Sequence, residues 1–349
     1  MNKMRALAAM LSVAFVVACG GGAPATTGAS SAPAVAASAA PTATAVVPIK
    51  MKVAYSNIAG DFLPVWTAQE AGIYKKNGLD VELLLAEGGS RTMSTLLANE
   101  INIGVLGGAE CLSATASGAK LVVSAVLAPV FPYLFMAAAE IKTPADLKGR
   151  KIGISSVGGS ADIATRKVLR DFGFDPDKDV TLVSLGSHSV RTAALFSGTI
   201  QAAVDDPPNT AELVDKGFHS MYDLAGKKVA SAQTVVVAQS AWVSANKDAM
   251  QRFIDSIVEA TAYQKKNRAA TVAVMKKFYG NSVAKGFEDA VDFYLNQVEV
   301  ALPFPRAELW ADAQAELSKT NEKVKAIDVK TLVDSSFVQS AADRAVDKR

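Results

Sequence analysis

The sequence predicts an α/β protein of two lobes, each a mainly parallel sheet flanked by helices, with extra helices at the C-terminal end. Three observations predict it. Strand and helix signals alternate with short loops through two successive series, which implies parallel sheets with helices on their faces. The stretch Pro129-Val130-Phe131-Pro132-Tyr133 breaks that rhythm between the series. About 300 residues follow the N-terminal segments, too many for one ordinary core.

The first series opens with a short buried strand at 51–55, then a helix at 64–77 closed by Gly78 and a strand at 80–85. Ser90 stands as the cap of a helix at 90–99. A strand at 102–106, a helix at 109–117 and a strand at 120–127 complete the series. In the second series Thr143 and Pro144 start a short helix as cap and first helical residue. Strands at 151–155, 180–185 and 200–204 alternate with helices at 160–172, 189–196 and 207–216. Residues 231–239 read as a strand crossing back to the first series. Beyond it the signal is helical. Asn246 caps a long amphipathic helix that buries Phe253, Ile254, Ile257 and Val258, and helices at 287–300, 307–320 and 329–342 follow. One lobe is therefore assembled from 50–130 and 231–349, the other from 131–230, and two chain crossings form a hinge.

The N-terminal segments carry no fold. Lys3 and Arg5 precede an apolar run that ends at Ala18-Cys19, the pattern of a secretory signal over 1–18. The run is too short to span a bilayer, which takes about 20 residues. The cysteine after the cut resembles a bacterial lipobox, which implies that Cys19 becomes the mature first residue and carries lipid, palmitate included. Residues 19–49 hold no charge and no aromatic side chain and read as a disordered tether. Such a chain reaches on the order of 30 Å.

Charge excludes one class of partner. The chain has 36 Lys and Arg against 34 Asp and Glu, a formal charge of +2. Removal of Lys3 and Arg5 with the signal leaves none, so no basic block argues for nucleic acid. Of the 2 cysteines, Cys111 has no intramolecular partner once Cys19 is lipidated. With only 2 His in the chain it reads as a small buried residue, and no metal site or cofactor is expected. No Ser/His/Asp signature, zinc spacing or P-loop is visible.

Ligands of open parallel sheets sit beyond the carboxyl ends of the strands, at helix N-termini. Those places here are rich in Gly and Ser: Ser56 and Asn57, then Gly88, Gly89 and Ser90, then Gly107 and Gly108, and in the other lobe Ser156, Gly158, Gly159 and Ser160. Free backbone N–H groups and the positive helix end favour an anion there. Taken singly, each is also an ordinary turn or cap. Arg91 opposes the dipole of its helix; it is either a solvent-facing arginine or a bidentate contact to a carboxylate, sulfonate or phosphate. Asp206 reads as an N-cap before Pro207, while Asp205 could face an amine or a pyrimidine donor. His188 lies in a loop that either faces the cleft or the surface, and His219 reads as structural. Phe62 and Tyr133 could wall the cleft; Trp66 reads as core.

The chain resembles the solute-binding lipoproteins of ABC importers, in the nitrate/sulfonate/taurine branch that includes thiamine-pyrimidine-precursor binders. The resemblance rests on the order and spacing of several segments: Phe62-Leu63-Pro64-Val65-Trp66, Gly78-Leu79-Asp80-Val81-Glu82, Gly88-Gly89-Ser90, Asn102-Ile103-Gly104-Val105, Thr143-Pro144-Ala145-Asp146-Leu147 and Leu195-Phe196-Ser197-Gly198. It implies a type II periplasmic-binding fold, a cleft for a small, anionic or heteroaromatic solute, and delivery to a permease and its ATPase by a monomer anchored at the cell envelope. It implies no catalysis. Relatives that synthesise the thiamine pyrimidine use a cysteine-rich motif, which this chain lacks. A ligand sensor that touches a signalling partner would need the same cleft.

Overall fold

In a computed structural model the described residues are 47–281 and 283–349. The expectations for the signal at 1–18 and for lipid on Cys19 lie outside them, as does nearly all of the tether; Ile49, placed in the tether, already belongs to the first strand.

The strands are β1 (Ile49–Tyr55), β2 (Leu79–Leu85), β3 (Ile103–Leu106), β4 (Leu121–Val130), β5 (Leu134–Ala137), β6 (Lys151–Ile154), β7 (Thr181–Ser184), β8 (Ala202–Asp205), β9 (His219–Asp223) and β10 (Ala230–Gln239). They form two sheets, β2-β1-β3-β10-β4 and β7-β6-β8-β5-β9. The sheets are mixed. β1 pairs in parallel with β2 and β3, and β6 with β7 and β8. β10 runs antiparallel between β3 and β4, and β5 antiparallel between β8 and β9. Strand β5 was not expected, because Leu134–Ala137 carries no alternation of its own; its side chains are nearly all buried, which erases the period-2 signal.

The helices in the first sheet's half are α1 (Leu63–Glu70), α2 (Ile73–Lys76), α3 (Gly89–Leu97) and α4 (Gly108–Ala116). The second sheet carries α5 (Ser160–Asp171), α6 (His188–Phe196) and α7 (Asn209–Asp215). The return leads into α8 (Ser240–Ala245), α9 (Lys247–Lys266), α10 (Arg268–Tyr279), α11 (Phe287–Phe293), α12 (Ala311–Leu317), α13 (Glu322–Lys325) and α14 (Ser336–Asp343). The single helix expected over 64–77 is two, because Gly72 takes φ 69° between them. Ser90 lies inside α3, whose N-cap is Gly88. Asn246 does hold the cap position of α9, but its side chain donates back to the Trp242 carbonyl at 2.9 Å.

The core follows the patterning. Phe253, Ile254, Ile257 and Val258 of α9 are all fully buried. Trp66 is core, stacked on Phe278 with ring centroids 4.6 Å apart. Arg344 clamps α14 to α9 through both oxygens of Asp255, at 2.6 and 2.7 Å. No helix among the described residues is long and apolar enough to cross a membrane.

Gly108 belongs to this packing and not to the cleft. A Cβ there would fall 2.6 Å from the Ala232 carbonyl oxygen and 2.7 Å from Trp310 Nε1, which donates to the Gly108 carbonyl at 2.9 Å. Backbone and a pinned indole cannot yield easily. Gly108→Ala is therefore expected to lower unfolding stability by about 1–3 kcal/mol, read by urea denaturation; an unchanged midpoint would contradict this packing.

Candidate functional site

A cavity of about 490 Å³ opens between the two sheets. Every loop that follows a parallel strand contributes to it, as the rule for open sheets requires. Ser56, Asn57 and Phe62 come after β1, Gly88, Gly89, Ser90 and Arg91 after β2, and Gly107 after β3. From the second sheet come Ser156 and Ser160 after β6 and His188 after β7. Tyr133, on the first crossing, lies on the floor. Phe62 and Tyr133 are both wall and core, since each is also almost fully buried.

Three other expected residues do not line the cavity. Gly158 and Gly159 spend their N–H groups within the loop, on the Asp162 carboxylate at 2.8 Å and on the Ser156 carbonyl at 2.9 Å. Asp205 sits behind the wall. It accepts from His188 Nδ1 at 2.8 Å, from the Thr192 hydroxyl at 2.7 Å and from the Asp206 N–H at 3.0 Å. Asp206 is the acid that reaches the cavity. It does not cap a helix, because α7 begins only at Asn209, with Pro208 at its N-cap. Its carboxylate instead accepts from the Tyr294 hydroxyl.

His188 opens α6 and is buried. Its Nδ1 lies 2.8 Å from Asp205 and 2.7 Å from Asp206, the second an ion-pair contact beside the hydrogen bond to the first. Burial alone would depress the imidazole, but the two carboxylates outweigh it and push its pKa up to about 9. Burial would raise Asp205; the His188 hydrogen bond and charge hold it below the usual carboxylate range. These three side chains bring ligand atoms within 4.8 Å of one another.

Sequence reasoning missed the most informative residue. Arg191 is 1% exposed and lines the cavity. Its Nη1 donates to the Gly186 carbonyl at 2.7 Å, while Nε and Nη2 are buried without a hydrogen-bond partner. The signal was available: Arg191 stands in the first turn of a helix after a Gly-Ser loop, the pattern that singled out Arg91. Arg91 itself is exposed at the mouth. Also missed were Asp61, Glu110, Gln233 and Thr234. Asp61 accepts from the Thr234 hydroxyl, and burial, then the charge of Asp206, pushes its pKa up to about 6. Gln233 donates to the Tyr133 hydroxyl at 2.7 Å.

With this geometry in place, kinship can be read. Residues 59–270 match the family described as NMT1/THI5 like, more than half of the chain. The chain belongs to the NMT1/THI5-like family. YtlA of Bacillus subtilis (strain 168), named as a binding protein, is 24% identical over 297 residues, which cover 83% of this chain and 89% of YtlA. The periplasmic aliphatic sulphonate binding protein SsuA of Escherichia coli superposes with TM-score 0.66 at 22% identity, over 82% of this chain and 97% of SsuA. The periplasmic nitrate-binding protein NrtA of Synechocystis PCC 6803 gives 0.69 at 16%, over 85% and 89%. The two-lobed periplasmic-binding fold expected for this NMT1/THI5-like chain is thus established.

The His188 cluster makes stability depend on pH. Its folded pKa of about 9 lies above the ordinary 6.5, so its contribution is complete below pH 6.5 and is lost as pH rises through 9. Glu299, pushed up to about 8 by burial, adds a slope of the same sign. The difference in unfolding free energy between the native chain and His188→Gln should therefore shrink from pH 6.5 to 9, by at most about 1.4 kcal/mol per pH unit. A difference that stays constant across that range would contradict the assignment.

Proposed function

We propose that this protein captures a small organic acid between its two sheets and delivers it to an ABC permease and its ATPase. The observation that carries this reading is Arg191, a fully buried guanidinium with Nε and Nη2 unpartnered at the cavity wall. A buried cation without its full complement of acceptors is costly, and a carboxylate or sulfonate fits the planar fork with two parallel hydrogen bonds. The volume of about 490 Å³ suits an organic solute and greatly exceeds nitrate. Support also comes from YtlA, named as a binding protein, and from the sulphonate- and nitrate-binding proteins that share the fold.

The site binds and does no chemistry. Cys111 is fully buried, its thiol pushed well up by burial and by the charge of Glu110, whereas a nucleophile must reach the thiolate. His188 is committed to its two carboxylates. The chain is exported, and lipid on Cys19 with the tether behind it holds the cleft near the membrane surface as a monomer.

Two experiments test this. Full chain refolded from denaturant, to strip carried solute, is screened by thermal shift against alkanesulfonates and alkanoates; a ligand at 100 times its dissociation constant adds about 2.7 kcal/mol. Arg191→Leu should weaken any hit about 30-fold or more, and an unchanged dissociation constant would remove Arg191 from the site. In a bacterial host, Cys19→Ala should abolish incorporation of labelled palmitate; retained label would refute the anchor.

A further inference from the structure

The segment that carries α12 is fastened to the first sheet's half and reaches across to the second. At one end Trp310 Nε1 donates to the Gly108 carbonyl of α4 at 2.9 Å. At the other the Val123 N–H of β4 donates to the Leu332 carbonyl at 2.8 Å, and the Asp334 N–H donates to the Val123 carbonyl at 2.9 Å. Between these anchors α12 lies against α5. Its contact there is both apolar and charged. Leu317 packs on the loop before α5, where a Cβ on Gly158 would fall 2.7 Å from its side chain. Glu316 is buried; Oε2 accepts from Arg170 and, at 2.9 Å, from Lys319, while Oε1 lies 3.6 Å from Arg166 Nη1.

The charges continue inward from there. Arg166, also buried, donates through Nε to Asp162 at 2.7 Å and through Nη1 to Asp177 at 2.6 Å. Asp162 is 1% exposed, and its second oxygen accepts from the Gly158 N–H at 2.8 Å. Gly158 takes φ 76°, a turn that leads to Gly159, whose N–H donates to the Ser156 carbonyl at 2.9 Å. Ser156 and Ser160, on either side of that turn, line the cavity. A chain of ion pairs and hydrogen bonds thus runs from α12, held on the first sheet, to the part of the cavity wall that the second sheet supplies. Buried charges of this kind depend on every partner, since loss of one leaves the others uncompensated.

We propose that α12 is a latch on the cleft and that Glu316 is its positioning residue, bracing through Arg166 and Asp162 the loop that presents Ser156 and Ser160 to the solute. This rests on the solute-binding reading above. Arg166, Arg170, Asp162 and Gly158 all belong to the second sheet's half, so opening of the cleft parts the chain of charges at Glu316. Closure restores the Glu316 pairs and stiffens the wall in the same step. A charged hydrogen bond at that junction changes the opening equilibrium about tenfold or more.

Amide hydrogen exchange of the refolded full chain tests it, read on peptides covering 155–163 of the cavity loop and 250–258 of α9. Glu316→Gln is expected to speed exchange across 155–163 about 10-fold and to leave 250–258 unchanged. Faster exchange confined to α12, or native protection throughout, would overturn the latch. Should 250–258 also lose protection, the fold itself is weakened, and Arg170→Gln, at a partly exposed position, takes its place. A rise of about 3-fold across 155–163 is expected for it, and native protection there would overturn the latch. Stopped-flow release of butane-1-sulfonate should be about 10-fold faster from Glu316→Gln with association unchanged; release at the native rate would refute the hold on the solute. Failure of the native chain to bind butane-1-sulfonate would count against the organic-acid reading alone, because the exchange result decides the latch without a solute.

Discussion

The chain leaves the first sheet at Val130 and must return to it at Ala230, and the rest of the molecule depends on how that return is made. β10 enters between β3 and β4 and pairs antiparallel with both. The two crossings thereby lie side by side beneath the cleft, tied where Gln233 donates to the Tyr133 hydroxyl. Thr234, the next residue on the return strand, donates to Asp61 of the loop after β1. One strand thus completes a sheet, forms the hinge and supplies the cavity floor. Its central residues are fully buried, and both faces are covered, so it cannot shift register without disrupting the first sheet and the floor together.

Above that floor the two halves meet through polar contacts. Tyr294 reaches Asp206, the Ala284 N–H donates to Glu212 at 2.9 Å, and Glu316 of α12 pairs with Arg170 of α5. The Arg191 Nε and Nη2 nitrogens, buried at the cavity wall without hydrogen-bond partners, oppose closure. A solute that supplies their partners shifts the balance toward the closed form, which is the thermodynamic content of capture by hinge closure.

Much of this was legible in the sequence, for identifiable reasons. The parallel strands are short apolar runs bounded by Gly-rich turns, and α9 is long enough for its apolar stripe to declare itself. The Gly and Ser positions at strand ends were found because backbone geometry demands those residue types there. β5 was not found, since a strand buried on both faces has no alternation. The charged residues were found poorly. Arg91 and Arg191 occupy equivalent places in two helices, and only the depth of burial separates a rim arginine from a buried one. Asp205 and Asp206 are neighbours where β8 ends, and their sequence does not tell that Asp206 lines the cavity while Asp205 lies behind it. Glu110 is unremarkable in sequence; its place in the cavity lining appears only where α3 and α4 begin side by side. Local rules place backbones, whereas the pairing of charges depends on contacts between residues far apart in the chain.

The most direct measurement is a crystal structure of the full chain loaded with a solute that binds it in solution. The account predicts the acidic group within hydrogen-bond distance of Arg191 Nε and Nη2, inside the cavity between the sheets. An acidic group resting instead on the backbone of Gly88 and Gly89, with the Arg191 nitrogens still unpartnered, would contradict it.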